Sequence, residues 1–272
     1  MSMYISTNVS SLNAQRNLAN SGKSLDTSYT RLASGMRINS AKDDAAGLQI
    51  SSRMTSQING LDQGNRNAND GISMAQTAEG AMDEVTSMLQ RMRTLAQQSA
   101  NGTNSDDDRG ALQKEVVALQ EEITRISEQT TFAGTALFTP ANTVSFQVGA
   151  NADQTIDITL EEIDAAALGV DGYDISTDTG AQAALTTIDD VIKTVDGYRA
   201  DLGAVQNRLD STIRNQANVS ENVSAARSRI RDADFATETA NMTKQNILQQ
   251  AASSILAQAN QRPQSALSLL GN

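Results

Sequence analysis

The chain has 272 residues and a net charge of -11, and it contains no cysteine, histidine or tryptophan. Without cysteine there is no disulfide framework or thiolate site, and without histidine the commonest general base and metal ligand are missing. Carboxylates, lysine or tyrosine could still serve an enzyme, but no constellation of such residues indicates one, so we expect no enzymatic activity, no metal and no cofactor.

The charge is unevenly distributed along the chain. Residues 1–42 carry a net charge of +4, whereas residues 126–192 contain eleven acidic and no basic side chains. An acidic middle repels nucleic acid, so we predict no nucleic-acid partner. The early basic side chains are spread along a helical pattern, which favours a solvated or partner-facing helix over a membrane or nucleic-acid arm.

Two segments bear on membranes and export. Residues 245–261 carry no charge, but their asparagines, glutamines and serines make them too polar to span a bilayer. Residues 1–13 lack an apolar core behind basic residues, so we do not expect a signal peptide.

The first predicted element covers residues 1–42. Leu18, Leu25 and Leu32 lie seven residues apart, which is a heptad pattern with little bulk. Such a helix is marginal when it is alone.

The next element is a long helix from about residue 44 to 100, because apolar side chains recur there at steps of three and four. Ser40 followed by Asp43 resembles a capping box at its start, and we favour this over a metal site. Four glycines interrupt the pattern, namely Gly60, Gly64, Gly71 and Gly80. Each costs about 1 kcal/mol against alanine, so packing must stabilise this helix.

A further helix start is predicted at Ser105, with Asp108 three residues later. The acidic run there lacks the ligand spacing and the closing glutamate of a calcium loop. An apolar stripe then runs from Leu112 to Ile126, and a second one runs from Leu185 to Leu209 within a helix of residues 184–231. These stripes require the helices to lie side by side.

Between those helices the periodicity changes. Thr143–Val148 and Gln154–Leu160 are short alternating segments that predict a β-hairpin. Residues 161–180 are acidic and contain glycines, which is typical of loops or short turns. Asp232–Asp234 ends the long helix, and a last helical pattern begins at Phe235.

The predicted fold is mainly α: an elongated antiparallel helical bundle or coiled-coil rod with one small β-hairpin region. Residues 1–42 and 233–272 hold few large apolar side chains, so we expect them to become ordered against other copies of the chain. Contacts between identical ends that do not close produce a helical polymer. The polymer-core contacts that we predict are Ile5, Val9, Leu12, Leu18, Leu25, Leu32, Leu248, Ala251, Ile255, Leu267 and Leu270.

Several segments resemble bacterial flagellins. These are residues 8–18, 31–48, 89–96, 146–150, 228–236, 244–248 and 257–261. The resemblance implies a structural subunit that polymerises into the helical flagellar filament used for swimming. A hook–filament junction protein, which shares weaker end patterns, is the alternative; a monomeric coiled-coil adaptor would need bulkier heptads at both ends.

The resemblance also implies three regions. Residues 1–42 and 233–272 would be inner-core helices that pair as a coiled coil in the filament. Residues 43–142 and 181–232 would be the outer-core rod domain. Residues 143–180 would hold the β-hairpin and a reduced variable surface region in place of large outer domains.

The partners implied by the resemblance are further copies of the chain, an export chaperone that binds the C-terminal helices, and the filament cap and hook-junction proteins. Export would use the flagellar channel without a cleaved signal peptide, and the product would be an extracellular filament. An animal Toll-like receptor is a further implied partner, through Gln90, Arg91, Leu95 and Glu115. For Arg91 and Glu115, contacts between rods in the polymer are the alternative, and both roles are compatible.

Overall fold

The computed structural model describes residues 7–270, with side chains for residues 7–261. Five helices occupy most of this range: α1 Val9–Ser34, α2 Ala45–Ser99, α3 Asp106–Gln129, α4 Asp178–Arg231 and α5 Phe235–Leu270. Four strands lie between α3 and α4: β1 Thr131–Phe132, β2 Thr135–Ala136, β3 Asn142–Gln147 and β4 Thr155–Leu160. The predicted mainly α fold with a small hairpin is confirmed, and α4 begins six residues before the predicted start.

The chain divides into two compact units. The terminal unit comprises residues 1–56 and 222–272, and the central unit comprises residues 57–221. Both α2 and α4 therefore contribute residues to each unit.

In the terminal unit, α1 and α5 pack against each other in antiparallel directions. Asn8 Nδ2 donates a hydrogen bond to Ala259 O at 2.6 Å, whereas Arg31 near the other end of α1 lies 3.6 Å from the Glu238 carboxylate. The Asn8 side chain also caps α1, because its Oδ1 accepts from the Ser11 amide at 3.1 Å. The helix pair is thus aligned at both ends by polar contacts.

A short backbone ladder joins the end of α1 to the break between α4 and α5. Gly35 ends α1 in the left-handed conformation, with φ of 69°, which a side chain with a Cβ adopts only at a cost. Its carbonyl accepts from the Ala233 amide at 2.9 Å, and the Arg37 amide donates to Arg231 O at 2.7 Å. The break predicted at 232–234 therefore has partners for its backbone groups.

The start of α2 differs in detail from the predicted capping box. Asp44 is the capping side chain, since its Oδ1 accepts from the Gly47 amide at 2.9 Å. The Asp43 carboxylate instead accepts from the amide and hydroxyl of Ser40, at 2.9 and 3.1 Å, and so closes the preceding turn. At α3 the prediction is confirmed: Ser105 and Asp108 form a reciprocal capping box.

The central unit packs α2 against both α3 and α4 in antiparallel directions. Arg93 pairs with Asp189 at 2.6 Å, and Asp83, further back along α2, pairs with Arg199, further along α4, at 3.0 Å. The core between the helices and strands is made of large apolar side chains that are less than 2% exposed. Its largest members are Phe138, Met82, Leu89, Met92, Leu95, Ile123, Leu137, Ile158, Leu160, Ile163, Ile175 and Ile188.

The predicted hairpin is confirmed, with Asn142 paired to Leu160 and Gln147 paired to Thr155 in antiparallel register. It packs on three of the glycines of α2. A Cβ at Gly60 would lie 2.7 Å from Ala150 Cβ, one at Gly64 would lie 1.8 Å from Val148 O, and one at Gly71 would lie 3.3 Å from the Phe146 ring. These glycines, spaced four and seven residues apart, form one groove along α2 that receives the hairpin.

The loop that follows the hairpin is not a purely surface segment. Its apolar side chains enter the core, at Ile163, Ala165, Leu168, Val170 and Ile175. The side chain of Gln113 on α3 forms two hydrogen bonds with the backbone of this loop. Gln113 Nε2 donates to Tyr173 O at 2.9 Å, and Gln113 Oε1 accepts from the Ile175 amide at 2.7 Å, as the backbone of a neighbouring strand would. The predicted loops and turns are present at residues 161–177, and their apolar side chains help to close the core of the central unit.

Candidate self-association surface

The contact between α1 and α5 follows a heptad seam on each helix. On α1 the inward positions are Ser11, Ala14, Leu18, Ser21, Leu25, Ser28 and Leu32. On α5 they are Glu238, Met242, Gln245, Gln249, Ala252, Leu256 and Ala259. All of these side chains are buried or half-buried, at the alternating steps of three and four that an a/d seam requires. More than half of the positions are polar or alanine, so the seam buries little apolar surface.

Polar contacts compensate for the small seam. The Ser11 hydroxyl donates to Asn260 Oδ1 at 2.7 Å. Glu238 is only 7% exposed, and its carboxylate lies 3.6 Å from the Arg31 guanidinium. A charged pair at this depth fixes the relative register of two helices, because any shift would leave a buried charge without its partner.

Most of the larger apolar side chains of α1 and α5 point away from the seam. We call the following set the outer face: Val9, Leu12, Tyr29, Phe235, Ile247, Leu248 and Ile255, which are between 43% and 60% exposed. Ala236, Ala240 and Lys244 line a shallow groove on α5 together with Ile247 and Leu248. A helix that is apolar on two faces buries one face and leaves the other for a partner.

The predicted polymer-core residues fall into three groups. Val9, Leu12, Leu248, Ala251 and Ile255 are exposed. By contrast, Leu25 is buried in the seam, where Leu18 and Leu32 are half-buried. The remaining three predictions, Ile5 and the side chains of Leu267 and Leu270, lie outside the described part of the chain.

Three outer-face residues were missing from the predicted contact set: Tyr29, Phe235 and Ile247. No single stripe in the sequence marks those on α5, since the twelve residues from Phe235 to Ile247 correspond to about 120° around a helix axis. Their exposure becomes visible only when the seam is known.

The carboxylates at the ends of these helices are held in their charged form. The side-chain hydrogen bond from Thr237 lowers the pKa of Asp234, and the backbone amides of Thr237 and Ala236 lower it further. The backbone amides of Ser40 and Asn39, with the Ser40 hydroxyl, lower the pKa of Asp43 in the turn before α2. The cause is that these hydrogen bonds are stronger to the ionised carboxylate than to the neutral acid.

The four predicted receptor contacts lie in the central unit and differ in accessibility. Gln90, Arg91 and Glu115 are exposed. Arg91 joins α2 to α3 through a 2.6 Å ion pair with Glu115. Leu95 is 1% exposed and belongs to the core.

The described residues hold neither a membrane-spanning helix nor a cluster of metal ligands. None of the helices there is long and apolar enough to cross a lipid bilayer. No group of three or more aspartate or glutamate side chains in this part of the chain is arranged to hold a metal ion.

Comparison with known proteins identifies the family. The family described as bacterial flagellin N-terminal helical region matches residues 5–143, and the bacterial flagellin C-terminal helical region matches residues 185–270. A flagellin of Halalkalibacterium halodurans is 49% identical over 271 residues, covering 98% of this chain and all of the relative. Flagellin D of Vibrio anguillarum is 40% identical over 377 aligned positions, with full coverage of both proteins.

A solved structure from Vibrio parahaemolyticus, described as flagellar hook-associated, matches 70% of this chain and all of its own, with a TM-score of 0.59 and 18% identity. At that identity the likeness shows the fold alone, so it does not favour the junction-protein alternative. The two family matches and the full-length relatives show that the chain belongs to the bacterial flagellin family, the structural subunits that self-polymerise into the extracellular filament of the flagellum.

Proposed function

We propose that the chain polymerises through the outer face of α1 and α5. The seam fixes the relative position of the two helices and so the arrangement of the outer-face side chains. The exposure of seven sizeable apolar side chains on one helix pair is the observation that supports this proposal. Ile5, Ala251, Leu267 and Leu270 belong to the same proposed contact set by sequence pattern, and Leu18, Leu25 and Leu32 contribute through the seam.

The energetics favour assembly over a free monomer. Burying a valine, leucine, isoleucine or phenylalanine side chain contributes about 1.5–3 kcal/mol relative to leaving it in water. The seven outer-face side chains are already about half covered, so their complete burial contributes on the order of 5–10 kcal/mol per subunit before the entropy of association is subtracted. This contribution drives assembly and offsets part of that entropy.

We also propose the two regions, an inner core and an outer core, that the resemblance implies. Residues 1–42 and 233–272 would form the inner core, and 43–142 with 181–232 the outer core. The left-handed end of α1 at Gly35 and the helix break at Asp232–Asp234 support a boundary near these residues, whereas the compact units divide within α2 and α4, at 56/57 and 221/222.

The test is seeded elongation with a matched pair of charge substitutions. Ile255→Asp places a carboxylate on the outer face, whereas Ser253→Asp places one on the same helix about 200° away around its axis, at a polar, exposed position. We expect Ile255→Asp to abolish elongation on filament seeds, as followed by light scattering and electron microscopy, and Ser253→Asp to elongate normally.

Helix content and hydrodynamic size separate loss of contact from loss of fold. Both variants should match the parent chain by far-ultraviolet circular dichroism and size-exclusion chromatography before seeds are added. Filaments of normal length from Ile255→Asp would overturn the proposal. Deleting residues 233–272 should also abolish elongation, because it removes one helix of the pair.

We infer that the α5 groove is covered by an export chaperone before assembly. The exposed Ile247 and Leu248 support this, since a free apolar groove would associate prematurely. Ile247→Asp should weaken binding of the purified chaperone by at least about tenfold, as one lost apolar anchor would predict, and Ser253→Asp, at an exposed polar position that does not line the groove, should leave it unchanged. Equal affinities would contradict the assignment.

The other proposed partners follow from the family. The filament cap and hook-junction proteins would meet the same terminal helices at the two filament ends. Export through the flagellar channel without a cleaved signal peptide predicts that the secreted chain retains its N-terminal residues, apart from the initiator methionine. The intact mass of secreted subunit tests this directly.

We also propose that an animal Toll-like receptor recognises the surface around Gln90, Arg91 and Glu115. Their exposure on adjacent helices supports the proposal, and buried Leu95 would act by fixing the position of this α2 segment. Arg91→Ala should reduce receptor signalling by purified monomer, whereas Arg93→Ala, which removes the equally exposed pair with Asp189, should not. Equal signalling by both variants would contradict a role for Arg91.

A further inference from the structure

The dipeptide Asn101–Gly102 occupies an exposed turn between α2 and α3. The Asn101 amide donates to Gln98 O at 3.1 Å, and the Asn104 amide donates to Asn101 O at 3.2 Å, so the turn is anchored on both sides. Within residues 7–270 the Gly102 amide donates no hydrogen bond, and a Cβ at this position would meet nothing within 4 Å. The Gly102 nitrogen is therefore open to the preceding side chain.

A buried arginine contacts the peptide unit to which that nitrogen belongs. Arg109 is 6% exposed, and its Nη2 donates to the carbonyl oxygen of Asn101 at 3.2 Å, while its Nη1 donates to Ser99 O. The Asn101 carbonyl and the Gly102 nitrogen form one amide. A cationic donor on that oxygen stabilises the anion that forms when the nitrogen loses its proton.

A second hydrogen bond acts on the asparagine side chain. The Thr103 amide donates to Asn101 Oδ1 at 3.4 Å. This bond folds the side chain over the following backbone, as in an Asx turn. It also withdraws electron density from the side-chain carbonyl carbon, Cγ.

We propose that Asn101 is a self-modification site, at which Arg109 promotes deamidation of the folded chain. Hydroxide removes the Gly102 amide proton, and the nitrogen attacks Asn101 Cγ. A C–N bond forms, the Cγ–Nδ2 bond breaks, and Nδ2 leaves as ammonia after taking a proton from water. Water then opens the resulting succinimide at either carbonyl and gives aspartate or isoaspartate, with no oxidant or reductant.

The structure also favours one of the two products. In isoaspartate, the former backbone carbonyl carbon of Asn101 carries a free carboxylate, and that is the group whose oxygen Arg109 already contacts. Among the side chains of residues 7–261, no carboxylate forms an ion pair with Arg109. Isoaspartate therefore supplies a buried guanidinium with an anionic partner.

The chain contains an internal control with the same dipeptide. Asn59–Gly60 lies within α2, where the glycine amide belongs to the helical hydrogen-bond ladder. A Cβ at Gly60 would lie 2.7 Å from Ala150 Cβ, so this glycine is packed against the hairpin. Its nitrogen cannot reach the neighbouring side chain without local unfolding.

The experiment is an ageing series on the purified full-length monomer at mildly alkaline pH. Peptide mapping follows the mass gain at each asparagine, and enzymatic methylation of isoaspartyl groups identifies the product. We expect Asn101 to convert to isoaspartate while Asn59 stays intact, and both to convert at the same rate in urea. Conversion of native Asn101 no faster than Asn59 would overturn the site.

The role of Arg109 has its own readouts. Native Asn101 should convert faster than the same residue in urea, the reverse of the protection that folding usually gives, and this comparison needs no variant. Arg109→Lys should slow conversion by about tenfold, the effect of losing one charge-assisted hydrogen bond. Gly102→Ala, which fits the turn, should slow conversion at unchanged helix content. A native rate equal to or below the rate in urea would overturn the assistance by Arg109.

Discussion

The terminal and central units use the same helical periodicity to bury very different material. In the central unit the inward positions hold Leu89, Met92, Ile123 and Ile188, each at most 1% exposed. In the seam of the terminal unit they hold mainly serines, alanines and glutamines, while most larger apolar side chains face outward. The central unit buries its core within one chain, whereas the terminal unit leaves an apolar face exposed, which we propose is covered by other copies.

The two units also differ in net charge. The terminal unit has eleven basic and six acidic side chains, whereas the central unit has ten basic and twenty-six acidic ones. Like charges on the central unit repel neighbouring copies, which opposes uncontrolled association. Apolar contacts between terminal helices must outweigh that repulsion, so added salt should accelerate elongation by screening it.

The largest effect that tests this contrast comes from truncating the central core. Phe138 is fully buried, so Phe138→Ala should lower the free energy of unfolding by about 3–5 kcal/mol. Ile255→Ala on the outer face should change it by less than about 0.5 kcal/mol. Urea unfolding monitored by circular dichroism gives both values, and a comparable loss from the two variants would break the contrast.

Two glycines of α2 give a second test, because replacing them by alanine should change the stability in opposite directions. Gly64→Ala forces a Cβ against Val148 O and should destabilise the central unit by about 1–3 kcal/mol. Gly80 has open space around it, so Gly80→Ala should stabilise by about 1 kcal/mol through helix propensity. Thermal unfolding of the two single variants decides the signs, and stabilisation by Gly64→Ala would show that the hairpin is not seated on this groove.

A smaller effect is expected from the ion pair in the seam. Glu238→Gln removes the charge partner of Arg31 and should weaken the α1–α5 pair by about 1–2 kcal/mol, between the values for exposed and buried pairs. Hydrogen exchange of α1 amides reports this locally. Glu122→Gln, which breaks an exposed pair with Arg125 on α3, should have almost no effect. Unchanged protection of α1 in Glu238→Gln would show that the pair does not set the register.

The smallest effect concerns pH. Asp43 and Asp234 have lowered pKa values in the folded chain because they accept hydrogen bonds from neighbouring amides and hydroxyls. Their contribution to stability is complete above the unfolded value of about 4 and is lost as the pH falls through the lowered folded value. The protection factors of the amides at residues 36–44, which correct for the intrinsic exchange rate at each pH, should therefore fall in acid, and the variant Asp43→Asn with Asp234→Asn should show a flatter profile. An identical profile would contradict the assignment.

The sequence predicted the helices, the hairpin and the α3 capping box well because each has a local signal. Periodicity identifies an amphipathic helix whatever it packs against, and Ser105 caps α3 through contacts within four residues. The family could also be predicted, since the matching segments are contiguous runs of residues in both the terminal and the central unit. The two-residue strands β1 and β2 were missed because two residues show no periodicity.

The inferences that failed depended on partners distant in the chain. Four of the five glycines of α2, namely Gly60, Gly64, Gly71 and Gly80, have the same propensity cost in sequence, yet the first three seat the hairpin and Gly80 meets nothing. The apolar residues at 163–175 resemble loop residues until Gln113 and the core are in place. The second face of α5 likewise emerges only after α1 has covered the first.

The sequence by itself determined which segments are helical and that the chain is a flagellin, because these depend on short-range hydrogen bonding and on the identity of contiguous residues. Only the tertiary structure decided which apolar side chains are buried in the chain's own core and which remain exposed. Burial is a property of surfaces that meet across long sequence separations, so a side chain such as Ile255 has no assigned face until its neighbours are known.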